Sequence, residues 1–128
     1  MGQLYRYKSN TIQMSDNGIV YFRSEADDVY TDTDLIAILD LAEKAANGKP
    51  FLLLMMINQY KFLMTREARN LFNTYDKAIQ LIQAEAVVVK SMPSMIMYNL
   101  LTKLHAPTFP FKAFTTEKEA VNWLLKQE

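Results

Sequence analysis

The sequence holds few side chains that could do chemistry. Among its 128 residues there is no cysteine and a single histidine, His105. The lack of cysteine excludes disulfides, cysteine-ligated zinc, iron–sulfur clusters and thiol catalysis. One imidazole makes a poor transition-metal site, and His105 falls at the predicted end of a helix, where a polar or cationic side chain suits the helix dipole. We therefore interpret His105 as a structural residue.

Catalytic motifs are also missing from the sequence. There is no Gly-x-Ser-x-Gly and no His-Glu-x-x-His, and three glycines are too few for a glycine-rich phosphate loop or a dinucleotide fingerprint. We expect a protein that is not an enzyme and that carries no cofactor and no metal.

Five carboxylates lie within ten residues around the start of the first predicted helix. Oxygen ligands at this density could bind calcium or magnesium, but the glycine and the closing glutamate of an EF-hand loop are missing. Acidic residues are also favoured in the first turn of a helix. We therefore prefer a solvated helix start for Glu25, Asp27, Asp28, Asp32 and Asp34.

A second polar group combines cations with residues that follow buried strands. Three cations surround the start of a predicted long helix, where free N–H groups could help to hold an anion such as phosphate. In open α/β sheets, ligands bind beyond the carboxyl ends of the strands, where an asparagine and a serine lie. The alternative is an ordinary solvated face. The candidate ligand-binding residues are Asn58, Lys61, Arg66, Arg69 and Ser91.

The apolar residues between positions 55 and 97 exceed what a core requires. This segment holds six of the eight methionines, a residue type favoured at surfaces that adapt to partners. In the helix that follows Ser91, the predicted core face is Met97, Leu100, Leu101 and Leu104. The remaining apolar residues predict an interaction surface, with burial inside the monomer as the alternative. This surface consists of Tyr60, Phe62, Met64, Met92, Met95, Ile96 and Tyr98.

The elements that must position these residues begin with a β-hairpin. Asn17-Gly18 between the β-rich segments 11–14 and 19–22 is a strong hairpin signal. Thr31 and Asp34 have capping-box spacing, and apolar residues then repeat on one helical face up to Asn47-Gly48. The unbroken apolar segment 51–57 predicts a strand that is buried on both faces.

The rest of the chain alternates helices with strands. The periodicity predicts a long helix over 65–82, a buried strand over 84–90, a helix capped by Ser91, an edge strand over 111–114 and a last helix capped by Thr116. This order predicts a single α/β domain over 1–128, with a mixed, mostly parallel sheet, an N-terminal β-hairpin and four helices.

Four segments in this order resemble the STAS-like domains, the sulfate-transporter and anti-sigma-factor-antagonist fold with a lipid-carrier-like branch. They are Thr-Arg-Glu-Ala-Arg at 65–69, Ala-Glu-Ala-Val-Val-Val-Lys-Ser at 84–91, Pro-Phe-Lys-Ala-Phe at 110–114 and Glu-Ala-Val-Asn-Trp-Leu at 119–124. The resemblance covers residues 11–127 and is strongest to small bacterial STAS-like proteins of uncharacterised function.

The resemblance implies a regulatory domain that acts through protein association. Phospho-regulated members carry an Asp-Ser-x-Gly type motif, whereas residues 57–65 here hold no serine and no glycine. Thr65 offers the hydroxyl nearest to that place and is the candidate phospho-switch. We expect a homodimer, with a regulatory protein as a further partner. The alternative is a small-molecule or lipid-binding module with an apolar pocket and an anion held at a helix N-terminus.

Charge and hydropathy exclude two further classes of partner. Lys and Arg number 14 and Asp and Glu number 14, so no basic excess indicates nucleic-acid binding. The longest apolar segment, 51–57, is far shorter than the roughly 20 residues of a membrane-spanning helix. We expect a cytoplasmic protein without a transmembrane segment.

Overall fold

The computed structural model describes residues 2–24, 29–57, 63–64, 66–104 and 108–127. Its main sheet has six strands, three of them antiparallel at the N-terminal side and the others parallel. The predicted α/β fold with a mixed sheet is confirmed. In chain order the elements are β1 Tyr5–Tyr7, β2 Asn10–Met14, β3 Ile19–Ser24, β4 Val29–Tyr30, α1 Asp32–Ala45, β5 Phe51–Ile57, β6 Leu63–Met64, α2 Arg66–Thr74, α3 Asp76–Leu81, β7 Ile82–Val88, α4 Met92–Leu104, β8 Phe111–Phe114 and α5 Glu117–Leu125.

The N-terminal hairpin forms where the Asn-Gly signal predicted it. Gly18 has φ +84°, a left-handed conformation that favours glycine, and its N–H donates to the Ser15 carbonyl at 3.2 Å. The Asn17 side chain accepts from the Ile19 N–H at 3.1 Å. These bonds close the turn between β2 and β3, while β1 adds an outer antiparallel strand.

Strand β3 begins the parallel part of the sheet, whose order is β3-β5-β7-β8. The short strands β4 and β6 pair separately. Residues of β5 are buried on both sides, as the apolar sequence of this strand predicted, since Leu53 and Met55 face one core cluster and Leu52 and Leu54 face the other.

The helices divide unequally between the two faces of the sheet. Residues from α1, α2 and α3 pack in the larger cluster, where Leu35, Ile38 and Leu39 of α1 are buried. On the opposite face, α5 packs Ala120 and Leu124 over β5, β7 and β8.

The described residues form five helices, which corrects the predicted four. The sequence predicts one helix over 65–82, but Tyr75 is extended, with φ −89° and ψ 116°, and separates α2 from α3. The Thr74 hydroxyl donates back to the Asn70 carbonyl at 2.9 Å. Residues 73–76 are all poor helix formers, and such a segment readily ends a helix even though the apolar periodicity continues across it.

Strand β8 is an edge strand, and the Asn99 side chain of α4 protects it. The Phe114 carbonyl bonds to the Val89 N–H, so the neighbouring Ala113 turns its N–H and carbonyl to the open edge. Asn99 Oδ1 accepts from the Ala113 N–H at 2.8 Å, and Asn99 Nδ2 donates to the Ala113 carbonyl at 3.3 Å. The amide therefore replaces the hydrogen bonds of a further strand.

We expect Asn99→Ala to lower the free energy of unfolding by about 1–2 kcal/mol, because two backbone groups lose their partner. Urea unfolding measures this effect. Asn122→Ala is the control, since Asn122 lies exposed on α5. Equal stability of the two variants would show that the Asn99 contact adds nothing.

Candidate functional site

Helix α4 flanks the β8 edge and turns only one side towards the protein. Met95 and Tyr98 pack against the larger core cluster, beside the Asn99 contact. The predicted core face is therefore wrong for Met97 and Leu100, which are 50% and 57% exposed. Residues 95, 98 and 99 occupy one side of the helix, and this side faces the protein. Residues 97 and 100 therefore point away from the core. The side chains of Leu101 and Leu104 lie outside the described residues.

The outward side of α4 is an apolar stripe, which we call the α4 face. Met92, Ile96 and Leu100 recur every four residues, with Met97 beside them. Met92 is 56% and Ile96 is 59% exposed. The described residues include seven exposed large hydrophobic side chains, and four of them lie on this face. No charged residue occurs between positions 92 and 102.

The predicted interaction surface is thus divided by the structure. Met92 and Ile96 lie on the α4 face, whereas Met95 and Tyr98 are half-buried against the core. Burial, followed by the nearby Glu85 carboxyl, raises the pKa of the Tyr98 hydroxyl to about 12. The other three members of that surface lie outside the described residues. They are Tyr60, Phe62 and the side chain of Met64, whose backbone lies in β6.

A buried carboxyl lies on β7, on the side of the larger core cluster. Glu85 is 2% exposed and stands in register with Leu53 of β5 and Phe111 of β8. Within the described part of the chain, no hydrogen-bond donor reaches its Oε1. Burial raises the pKa of Glu85 from 4.5 to about 8, so this carboxyl is mostly protonated at neutral pH.

Of the predicted anion site, the structure describes the side chains of Ser91 and Arg66. Ser91 caps α4, since its Oγ accepts from the Ser94 N–H at 3.2 Å and donates to the Ser94 hydroxyl at 2.9 Å. Arg66 lies exposed at the start of α2. The other predicted members lie outside the described residues, as does the candidate phospho-switch. These are Asn58, Lys61, Thr65 and the side chain of Arg69, whose backbone lies in α2.

A cleft of about 510 Å³ does open at the carboxyl ends of the parallel strands. Arg23 and Lys90 line it together with Glu117 at the start of α5. Its apolar walls come from the last residues of β5 and β7, and its volume lies within the range of small-molecule sites. The location agrees with the expectation for an open α/β sheet, although the cations differ from the predicted ones.

Asp34 is a structural carboxylate that closes the start of α1. It accepts hydrogen bonds from the Tyr7 hydroxyl at 2.6 Å, Lys8 Nζ at 2.9 Å, and the Thr31 N–H at 3.0 Å. Burial raises its pKa, but the bonds from Thr31, Tyr7 and Lys8 together outweigh burial and hold the pKa of Asp34 well below its usual range.

The predicted solvated helix start is confirmed only in part. Asp32 lies exposed in the first turn of α1, but Asp34 is buried. Glu25, Asp27 and Asp28 lie outside the described residues, as does His105. Among the residues that are described, no three His, Asp or Glu side chains come together as metal ligands.

Comparison with known proteins assigns the chain to a family. A family model described as a domain of unknown function, DUF7793, matches residues 12–128. The chain belongs to the DUF7793 family. No curated protein matches this DUF7793 sequence.

A solved structure supports the fold of the DUF7793 chain. It is an uncharacterised protein of the DUF3478 family from Shewanella loihica PV-4, described as having a SpoIIAA-like fold. The identity is 14% and the TM-score 0.56, over 97% of this chain and 92% of the other. The SpoIIAA-like fold is the STAS-like fold, so the resemblance is confirmed at the level of fold. In the described parts of the DUF7793 chain, no helix has the length and apolar character needed to span a membrane.

Sequence reasoning missed three residues of interest in the DUF7793 chain. Glu85 carries a visible signal, a lone charge inside an apolar strand. Arg23 and Lys90 lie at the carboxyl ends of β3 and β7, but connecting the two cations also requires knowing that these strands flank β5 in the sheet.

Proposed function

We propose that this DUF7793 chain is a non-enzymatic protein-interaction domain that forms a homodimer through the α4 face. The observation that carries the proposal is the exposure of Met92, Ile96, Met97 and Leu100, each at 50% or more. Removing apolar surface from water contributes roughly 25 cal/mol of favourable free energy per Å². An apolar patch of this kind on a small protein is typical of an interaction site.

The chemistry of the face favours a second copy as its occupant. A two-fold dimer places the same patch against itself, so any charge near its centre would meet its own like charge. The α4 face avoids this cost because residues 92–102 carry no charge. Lys103 lies at one end of α4, so an antiparallel pair of helices would keep the two lysines at opposite ends.

The spacing of the face also suits helix–helix contact. Met92, Ile96 and Leu100 form an i, i+4, i+8 ridge. Such ridges pack into the grooves of a like helix, which is a common way for helices to cross. The three side chains extend from Met92 to Leu100 of the 13-residue helix, so the contact would use about two-thirds of α4.

The titratable groups support a non-catalytic role. Asp34 is engaged in hydrogen bonds that hold α1, and Glu85 is enclosed by apolar neighbours in the core. Neither carboxyl borders the cleft of the described residues. Within this proposal the domain acts in the cytoplasm, and a regulatory partner is the alternative occupant of the α4 face.

We expect Ile96→Glu to convert the dimer to a monomer, raising the dissociation constant at least about 100-fold, because a carboxylate would be buried at the centre of the contact. Sedimentation velocity over a range of concentrations measures this constant. Met95 and Tyr98 are unsuitable for the test, because charges there would disrupt the core.

Ile79→Glu is the matched control, since Ile79 is 40% exposed on α3, away from the α4 face. It should leave the dimer intact. A wild-type protein that is monomeric throughout would overturn the proposal and leave the face to a different protein. A dimer that persists in Ile96→Glu would place the contact elsewhere.

A further inference from the structure

We infer that the strand-end cleft binds a small carboxylate with an apolar body, the acid group lying against Arg23 and Lys90. This site is separate from the α4 face and goes beyond the proposed dimer. The cleft has a volume of about 510 Å³, and its lining combines apolar side chains with two cations. Four observations carry the inference.

The first is the row of residues that forms the floor. Arg23 is in register with Met56, and Met56 is in register with Val88, so the three lie side by side across β3, β5 and β7. They share the face that α5 covers over β5, β7 and β8. The cleft therefore has an apolar floor with a guanidinium at its β3 end.

The second observation is the contact of this guanidinium with the Tyr21 ring. Arg23 Cζ lies 5.3 Å from the centre of the Tyr21 ring. Stacking on an aromatic face holds a guanidinium while its N–H donors, which lie in its own plane, stay available for a planar carboxylate.

The third observation is the charge of the cleft. Lys90 extends from the end of β7, and no described carboxylate forms an ion pair with it or with Arg23. Glu117 adds one negative charge on the α5 side. The balance of two cations and one anion leaves a single positive charge, which suits a monoanion better than a phosphate dianion.

The fourth observation is the polar rim. Thr115 lines the cleft between β8 and α5. It offers a hydrogen bond to the acid group or to a polar substituent of the ligand. Together the rim and the floor specify an acid group at one side and an alkyl body over Met56 and Val88.

Titration with hexanoate, followed by the backbone amide spectra of the protein, tests the inference. Saturable shifts should appear at Lys90 and Thr115, whereas hexanol should produce none. Hexyl phosphate should bind more weakly than hexanoate. Arg23→Gln and Lys90→Gln should each weaken hexanoate binding about tenfold, the loss of one charge-assisted contact.

Two further variants test whether the affinity depends on the charge inside the cleft. Lys126→Gln changes an exposed lysine at the end of α5 and should leave the affinity unchanged. Glu117→Gln should strengthen binding, because it removes the negative charge. Absence of saturable shifts, equal binding of hexanol, tighter binding of hexyl phosphate, or an unchanged affinity in Arg23→Gln would each overturn the assignment.

Discussion

Replacing Glu85 by glutamine is expected to stabilise the protein by about 3 kcal/mol at pH 7. The wild-type carboxyl is fully buried, and its pKa rises from 4.5 to about 8. Ionisation in the unfolded chain therefore favours unfolding over this whole interval. Glutamine has nearly the same shape and does not ionise, so that contribution disappears.

The pH dependence gives this prediction its sign. Below pH 4.5 both states of the wild-type protein hold the proton, and Glu85 costs nothing by ionisation. Between pH 4.5 and 8 the unfolded state alone loses its proton, and stability falls by about 1.4 kcal/mol per pH unit. Above pH 8 both states are ionised and the curve levels off.

Urea unfolding of both proteins from pH 4 to 9 measures the effect as a difference between two curves. Glu67→Gln is the control, because Glu67 lies exposed in the first turn of α2 and should shift the curve little. Parallel curves for wild type and Glu85→Gln would mean that the carboxyl does not titrate in this window, contrary to its buried position.

The second large effect is expected at the start of α1, beside the β1 edge of the sheet. Asp34→Ala should destabilise the protein by about 3 kcal/mol, because the hydrogen bonds from the Tyr7 hydroxyl, Lys8 Nζ and the Thr31 N–H to this carboxylate are lost. These donors tie β1, the β1–β2 turn and the start of α1 together. The loss should therefore appear as a lower midpoint in thermal unfolding.

The charge of Asp34 adds a pH dependence in a different window from that of Glu85. The pKa of this carboxyl is lowered in the folded protein, so its stabilisation is complete above its ordinary pKa of 3.8 and is lost as the pH falls below it. Asp32→Ala is the control within the same helical turn, since Asp32 is exposed. If both variants unfold at the same midpoint, the hydrogen bonds to Asp34 carry no net stability.

Most elements of this fold follow from local signals. The Asn17-Gly18 turn, the Thr31 cap and the apolar segment of β5 each predict their element from a few neighbouring residues. The Thr116 cap of α5 is also present, its Oγ1 accepting from the Glu119 N–H at 3.3 Å. These signals suffice because turns and caps are satisfied by groups within four residues of each other.

The candidate sites depend on contacts that local signals do not contain. Counting apolar residues along α4 could not set its rotation, because Asn99 fixes that rotation through a strand that follows in sequence. Likewise, Arg23 and Lys90 line the same cleft only after β3, β5 and β7 have paired. Side chains that act across a sheet are therefore harder to predict than the sheet itself.

The order of strands in the main sheet has a consequence for how the chain folds. Reading across the sheet, β1, β2, β3, β5, β7 and β8 follow the order in which a ribosome would release them. Each strand of this described sheet pairs with one that has already emerged, so none has to insert between two partners that are already joined. The sheet can grow at a single advancing edge during synthesis, starting from the hairpin, whose contacts are the most local. Asn99 emerges before β8, so the side chain that ends the sheet is in place when the last strand arrives.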